Sequence, residues 1–143
     1  MQLDQKEREI LHILQTEGRI SNVELAERLG LSESPCYRRV RQLEESGVIE
    51  GYKAALDKRL LGLQVTAFVQ ISLGKHDEQQ QQDFLAAVAA EEHIVECHAM
   101  SGGSDFLLKV LADNMDHFSE LPMQRILLSP GVTSTESDFS LLT

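Results

Sequence analysis

The sequence predicts an α+β fold made of a helical N-terminal domain and a C-terminal domain that contains a sheet. Up to residue 46, apolar side chains recur at the spacing of three short helices. From residue 63 onward, β-rich and helical segments follow one another in the order β-α-β-β-α-β. A chain of 143 residues has room for two small domains. We place the first at residues 1–60, with a linker strand to about residue 63, and the second at residues 64–143.

The charge of the chain supports the same division. The formal net charge is −10, but residues 1–60 carry ten basic and eleven acidic side chains, whereas residues 61–143 carry three and twelve. The acidic excess therefore belongs almost entirely to the C-terminal domain. Because the N-terminal domain is close to neutral, the overall charge does not exclude a polyanionic partner such as DNA.

Three helices account for the N-terminal domain. Asp4 and Glu7 form a capping box at the start of the first helix, which ends near Gly18. Residues Ser21–Glu24 form a capping box at the start of the second helix, which ends at Gly30. Ser32 can cap the third helix, which runs to Glu45 or Ser46, because Pro35 falls in its first turn. The residues with the alternation of a short strand pair, or wing, are Val48, Ile49, Tyr52 and Ala54.

The short turn at Gly30 and Leu31 predicts a helix-turn-helix, in which the third helix is the reading helix. Its inner face is Cys36, Val40 and Leu43, and Arg39 lies at the border of that face. Between Ser34 and Leu43 there are three arginines and no acid, a local charge of +3. Arginine donors match phosphate oxygens and the guanine edge. The predicted DNA contacts are Ser32, Ser34, Pro35, Tyr37, Arg38, Arg39, Arg41 and Gln42. The alternative is that these arginines form only the solvated face of a helix.

The C-terminal domain contains four predicted strands and two helices. The strands are Leu63–Leu73, Ile94–Met100, Phe106–Leu111 and Val132–Leu142. One helix begins with the polar run Gln79–Gln82, which we interpret as its exposed first turn. The other spans Asp116–Leu128, and Pro122 predicts a kink or restart near Leu121. This order is typical of a ferredoxin-like sandwich, in which both helices cover one sheet face. The uncovered face predicts a homodimer.

Both halves resemble the Lrp/AsnC family of bacterial and archaeal transcription regulators, also called feast/famine regulators. In the first half the resemblance rests on residues 18–26, 30–36, 39–40, 43–44, 47–49 and 51–52. In the second half, which resembles the family's effector-binding RAM domain, it rests on Ile94, residues 96–98, Ser101, Gly102, residues 105–109, residues 130–132, Thr135 and Ser137. The resemblance implies a DNA-binding protein that forms dimers and then an octamer.

The resemblance also implies a small-molecule site, usually for an amino acid, at the contact between dimers. The corresponding residues here are Ser101, Gly102, Gly103, Ser104 and Asp105, with Thr133, Ser134, Thr135 and Ser137 from the last strand or a neighbouring subunit. Glycine N–H groups can receive a carboxylate and Asp105 can pair with an ammonium group, although the same segment is compatible with a plain hairpin turn. Phe106 stands where the family usually has tyrosine, so one hydroxyl is missing.

Other classes of function have little support. The charged N-terminus is unlike a signal peptide, and the uncharged stretch Leu60–Gly74 is too short and polar to cross a bilayer, so we expect a cytoplasmic protein without a membrane partner. We expect Cys36 and Cys97 to be free and buried. Because the histidines (His12, His76, His93, His98 and His117) are dispersed, we expect no metal, and we expect no other cofactor.

The predicted function is therefore sequence-specific DNA binding, with assembly or affinity modulated by a small effector, an amino acid or a related molecule. An alternative is an effector-independent architectural or local regulator of the same fold. A small ferredoxin-like enzyme is disfavoured, because the sequence has no catalytic constellation of acid, base or nucleophile.

Overall fold

The computed structural model describes residues 2–74 and 77–142. The chain divides into two compact units, Met1–Leu56 and Asp57–Thr143. The N-terminal unit contains the helices α1 (Gln5–Thr16), α2 (Asn22–Leu29) and α3 (Glu33–Glu45). The C-terminal unit contains β1 (Val65–Leu73), α4 (Glu78–Ala90), β2 (Ile94–Ala99), β3 (Phe106–Ala112), α5 (Met115–Glu120), α6 (Met123–Leu127) and β4 (Val132–Phe139).

The ends of the first helices form largely as their sequence predicts. The Asp4 carboxylate accepts the Glu7 N–H at 2.8 Å, and the Glu7 carboxylate accepts the Asp4 N–H at 2.8 Å. This reciprocal capping box begins α1. At α2 only half of the predicted box forms, since the Ser21 hydroxyl accepts the Glu24 N–H without a bond in return. Gly30 ends α2 in the left-handed conformation, with φ 64°.

The core of the N-terminal unit is small and lies between the three helices. Its buried residues are Ile10, Leu25, Ala26, Leu29, Cys36 and Leu43. Two of them, Cys36 and Leu43, come from the predicted inner face of α3. That face therefore anchors α3 on α1 and α2, which leaves the opposite face exposed to solvent.

The strand pair predicted at residues 48–54 and the linker strand do not form. Residues 46–64 contain no strand, and residues 58–62 are turns. The Ile49 N–H donates to the Leu43 carbonyl at 3.0 Å, so the segment completes the C-terminal end of α3 instead of pairing with a second segment. A single alternating segment without a partner cannot satisfy the hydrogen bonds of a strand. The strand pairing predicted from the alternation of residues 48–54 was therefore wrong.

The sheet of the C-terminal unit has the strand order β2-β3-β1-β4, and all three pairings are antiparallel. One face carries the buried side chains Ala67, Val69, Ile71, Phe106, Leu108, Val110 and Ala112, which share a core with residues of α4, α5 and α6. We call this the helix-covered face. The predicted restart is confirmed, because α5 ends at Glu120 and α6 begins after Pro122. These elements form the predicted ferredoxin-like arrangement.

Register assigns the other side chains to an open face, opposite the face on which α4, α5 and α6 of the C-terminal unit pack. Phe68 pairs with Lys109 and Gln70 with Leu107 across the middle of this face. The outer strand β2 adds Glu96 and His98, and Lys109 contacts the Glu96 carboxylate at 2.8 Å. The open face therefore has an apolar centre among charged side chains.

Candidate reading helix and effector cavity

The outer face of α3 presents most of the predicted DNA contacts together. Ser34, Tyr37, Arg38, Arg41 and Gln42 are exposed, and Tyr37 is 56% exposed. Pro35 is half-buried in the first turn. Ser32 occupies the N-cap position, but its hydroxyl accepts no helix N–H, contrary to the predicted cap. The face thus combines hydroxyl, aromatic, amide and guanidinium groups on one continuous helix.

The three arginines of α3 differ in their surroundings. Arg39, at the border as predicted, contacts the Asp4 carboxylate at 2.5 Å and so ties α3 to the start of α1. Arg41 pairs with Glu44 at 3.3 Å and Glu45 at 3.2 Å. Within residues 2–74 and 77–142, Arg38 makes no ion pair. The local charge of +3 is therefore partly neutralised, and Arg38 is the arginine most available to a phosphate or a base.

The Asp4–Arg39 contact also changes the acidity of Asp4. The Glu7 N–H, followed by the Arg39 guanidinium, lowers the pKa of the Asp4 carboxyl below its ordinary value of 3.8. The Asp4 carboxylate is also the N-cap of α1. Arg39 therefore has a structural role through Asp4 in addition to its predicted role in DNA contact.

A cavity of about 600 Å³ lies at one end of the C-terminal unit. Its floor includes Phe84 and Phe106, whose rings lie 5.5 Å apart. Its rim is polar and carries Asp77, Gln80, Gln81, Asp83 and Asp105. The other lining residues are Leu73, Gly74, Ala99, Ser129, Pro130, Gly131 and Val132. An apolar floor below a polar rim is the usual form of a small-molecule site.

Asp105 is held firmly at this cavity. Its N–H donates to the Ile71 carbonyl at 2.8 Å, and its carbonyl accepts the Met100 N–H at 2.8 Å. One carboxylate oxygen, Oδ2, accepts the Leu73 N–H at 2.7 Å, beside the register shift between Ser72 and Leu73. Within residues 2–74 and 77–142, the second oxygen makes no hydrogen bond, so it can accept one from a ligand.

The remaining predicted effector residues are not part of the cavity lining. Ser101, Gly102 and Gly103 are exposed, and Ser104 is half-buried. On β4, Thr135 and Ser137 pair with residues of the helix-covered face, whereas Ser134 pairs with Ser72 of the open face. The Thr133 hydroxyl donates to the Ser72 carbonyl at 3.1 Å. One subunit therefore brings only Asp105 of the predicted set to the cavity.

Sequence reasoning missed the contribution of α4 and of the turn before β4. Gln80 and Gln81 belong to the polar run that was interpreted only as an exposed first turn. Gly131 has φ 122°, and a Cβ there would lie 2.9 Å from the Gln80 Oε1 atom. The positive φ favours glycine at this position, whereas the short contact is to the far end of the Gln80 side chain, which can move to relieve it. The Pro130-Gly131 pair was the available signal for this wall of the cavity.

Cys36 is buried as predicted, whereas Cys97 is exposed, so the prediction for Cys97 was wrong. Cys97 lies on the edge strand β2, where fewer neighbours cover a side chain. Among the described residues, no group of three His, Cys, Asp or Glu side chains could hold a metal ion, and His76 lies outside that part of the chain. None of the described helices is long and apolar enough to span a membrane.

A helix-turn-helix with an exposed arginine-bearing face, joined to a sheet unit with a small-molecule cavity, defines a ligand-binding transcription regulator. Residues 3–50 match the family model of the winged helix-turn-helix DNA-binding domain, and residues 66–143 match that of the Lrp/AsnC ligand binding domain. The chain belongs to the Lrp/AsnC family of transcription regulators, which confirms the predicted family and fold.

Individual relatives agree over nearly the whole chain. The leucine-responsive regulatory protein of Salmonella typhimurium is 44% identical over 135 residues, which are 94% of this chain and 82% of that protein. A transcriptional regulator of Neisseria meningitidis, crystallised with L-methionine, has a TM-score of 0.92 at 37% identity and covers 99% of this chain and 91% of its own.

A third relative is also similar over nearly the whole chain. The feast or famine regulatory protein of M. tuberculosis, complexed with L-methionine, has a TM-score of 0.87 at 32% identity, with coverage of 99% and 94%. The relatives are transcription regulators, so the protein is a regulator and not an enzyme, as the sequence predicted.

Proposed function

We propose that this regulator binds specific DNA sequences through the outer face of α3 and changes its assembly or DNA affinity when an amino acid binds near Asp105. The observation that carries the proposal is the continuous exposed face of α3, on which Arg38 makes no ion pair within the described residues. An α-helix fits the major groove, and arginine can donate two hydrogen bonds to guanine. The regulator would act in the cytoplasm, with the chromosome.

The proposed effector is an amino acid, as in the two methionine complexes among the relatives. Support comes from Asp105, whose second carboxylate oxygen can accept a hydrogen bond from an ammonium group, and from the apolar floor at Phe84 and Phe106. The hairpin Ser101–Ser104 and residues 133–137 would complete the site from a neighbouring subunit. Phe106 in place of the usual tyrosine supports the alternative, a local regulator that has lost its effector response.

The proposed assembly is a homodimer through the open face, extended to an octamer. Support comes from the apolar side chains Phe68, Leu107 and Leu111 at the centre of that face. Two-fold pairing would bury them and would place two reading helices on one DNA duplex. Leu107→Asp is expected to reduce the sedimenting mass, whereas Leu128→Asp, a control at a side chain that is 85% exposed, is not. Equal masses for both variants would contradict the proposed interface.

The function is tested by selecting bound sequences from a random duplex library and by a thermal-shift screen of the twenty amino acids. We expect enrichment of one motif with two-fold symmetry, and stabilisation by at least one amino acid that also changes affinity for the selected duplex. Enrichment of no motif would contradict specific DNA binding. A motif without any amino-acid response would instead support the effector-independent regulator.

A further inference from the structure

Two acidic side chains lie in the last turn of α3, where they do not favour the helix. The last turn carries Glu44 and Glu45 and no basic residue, although the C-terminal end of a helix has partial negative charge. Both acids follow Arg41 along the chain, which is the less favourable order for pairs three or four residues apart. Helix stability therefore does not account for these two carboxylates, and their contacts suggest another role.

Both carboxylates are bound to Arg41. Its Nη1 atom lies 3.3 Å from Glu44 Oε2, and its Nη2 atom lies 3.2 Å from Glu45 Oε1. Each terminal nitrogen of the guanidinium, the atoms that would contact a phosphate or a guanine edge, thus directs one of its two N–H groups to a carboxylate. Arg38, three residues earlier, makes no such pair within residues 2–74 and 77–142. Before DNA binds, Arg41 is therefore paired with carboxylates, whereas Arg38 is not.

Glu44 is also held from its other side. The Tyr52 hydroxyl donates to Glu44 Oε1 at 3.1 Å, and the Tyr52 ring lies beside Gly18. Burial, followed by the Glu44 carboxylate, raises the pKa of Tyr52, so its hydroxyl stays protonated as a donor. The Glu44 side chain is 28% exposed, compared with 66% for Glu45. Arg41 therefore pairs with one carboxylate that Tyr52 also holds and with one that is largely exposed.

We propose that Glu44 and Glu45 determine DNA specificity by keeping Arg41 paired on non-specific DNA and releasing it where a base edge offers two acceptors. A guanine presents O6 and N7 to both terminal nitrogens of arginine and can replace both carboxylates. A single hydrated phosphate replaces them less well, and the freed acids then repel the DNA backbone. Tyr52 is a positioning residue in this arrangement, because it acts through Glu44. The inference rests on the proposed function, namely specific DNA binding by α3.

The test compares the full-length wild type with the double variant Glu44→Gln/Glu45→Gln on two duplexes. One duplex is selected by the wild type from a random library, and the other is its scrambled sequence. Fluorescence anisotropy is measured over a range of salt concentrations. Since an exposed ion pair is worth about a 1.5- to 5-fold change, we expect the variant to bind the scrambled duplex about fivefold tighter. Affinity for the selected duplex should change by less than about twofold.

The salt dependence provides a second readout. If the freed Arg41 takes one more phosphate, the slope of log K against log salt on the scrambled duplex steepens by about 0.9 per reading helix. Tyr52→Phe keeps the ring and removes the donor, so it should shift the affinity ratio in the same direction by a smaller amount. Glu50→Gln is the matched control, because Glu50 is exposed and makes no ion pair within the described residues.

Two outcomes would overturn the inference. The double variant could leave the ratio of affinity for the selected duplex to affinity for the scrambled duplex unchanged, as when a simple change in net charge strengthens binding to both equally. Alternatively, Glu50→Gln could lower that ratio as much as the double variant does. If the wild type enriches no sequence from the library, the proposed function fails and the inference fails with it. If a motif is enriched and the ratio is unchanged, only the inference fails.

Discussion

The two units hold their candidate functional side chains on different kinds of surface. In the N-terminal unit these side chains project from the outer face of one helix, whose inner face contains the fully buried Cys36 and Leu43. In the C-terminal unit the cavity is enclosed by segments that are far apart in the chain, and its floor includes the core residues Phe84 and Phe106. The reading face is therefore separate from its core, whereas the cavity shares residues with its core.

This difference predicts how each site responds to substitution. A change on the outer face of α3 alters what the helix can bind without removing a buried contact. A change in the cavity floor removes packing that supports the sheet unit, so ligand binding and folding change together. The two kinds of surface can be distinguished by measuring stability and binding on the same variants.

The largest expected effect is on stability, from Phe106→Ala. Phe106 is 5% exposed and packs on Phe84, so its truncation should lower the free energy of unfolding by about 3–5 kcal/mol. Tyr37→Ala removes an aromatic ring that is 56% exposed on α3 and should change stability by less than about 0.5 kcal/mol. Urea unfolding followed by circular dichroism measures both. Similar losses in the free energy of unfolding for the two variants would show that the cavity and the reading face do not differ in their contribution to stability.

Arg38→Ala should have the next largest effect, and on binding alone. Arg38 is exposed on the reading face, so its loss should weaken binding to the selected duplex by about 1–3 kcal/mol while the melting temperature stays nearly constant. Arg41→Ala should weaken binding less, because Arg41 must first leave Glu44 and Glu45. Full affinity of the Arg38→Ala/Arg41→Ala double variant in a gel-shift titration would show that α3 is not the reading helix.

The same difference explains how much of each site the sequence could predict. The reading face follows from helical spacing within ten consecutive residues, so Tyr37, Arg38 and Gln42 were predicted on the exposed side and are found there. The cavity draws on α4, β1, β3 and the turn at Pro130 and Gly131, which meet only through the sheet topology. The spacing of residues along the chain does not show that these segments lie side by side in the fold. Only Asp105 was found, and its signal was the resemblance to a family.

The ion pairs of α3 were also beyond prediction from spacing alone. Helical geometry allows Arg41 to contact Glu44 and Glu45, but the second side-chain contact of Glu44 comes from Tyr52, in a segment predicted to form a wing. Alternating apolar residues predicted strands there because the absence of a partner segment is not visible in the sequence. The charge of +3 between Ser34 and Leu43 counts only that stretch, whereas the acids that pair with Arg39 and Arg41 lie outside it.

Asp105→Asn should have a smaller effect on stability, and it tests whether the carboxylate acts in ligand binding or in folding. Asp105→Asn keeps an oxygen that can accept the Leu73 N–H but removes the charge. We expect stability to change by less than about 1 kcal/mol, while affinity for the effector amino acid falls about tenfold or more. Asp105→Ala should lose both the ligand response and stability. Calorimetry that finds equal amino-acid binding in Asp105→Asn and the wild type would show that the carboxylate does not contact the ligand.

The smallest expected effect concerns the surface charges of the N-terminal unit, because exposed ion pairs contribute little to stability. The Glu7 N–H and Arg39 lower the pKa of Asp4 in the folded state, so the stability from this carboxylate is present above its ordinary pKa of 3.8. It is lost as the pH falls through the lower folded pKa, since the protonated group no longer pairs with Arg39. The urea midpoint of the wild type should therefore exceed that of Asp4→Asn at pH 6, and the two should converge below pH 3.8. Glu50→Gln provides the reference for loss of one exposed acid. A constant difference between wild type and Asp4→Asn at every pH would assign the effect to the shape of the cap instead of its charge.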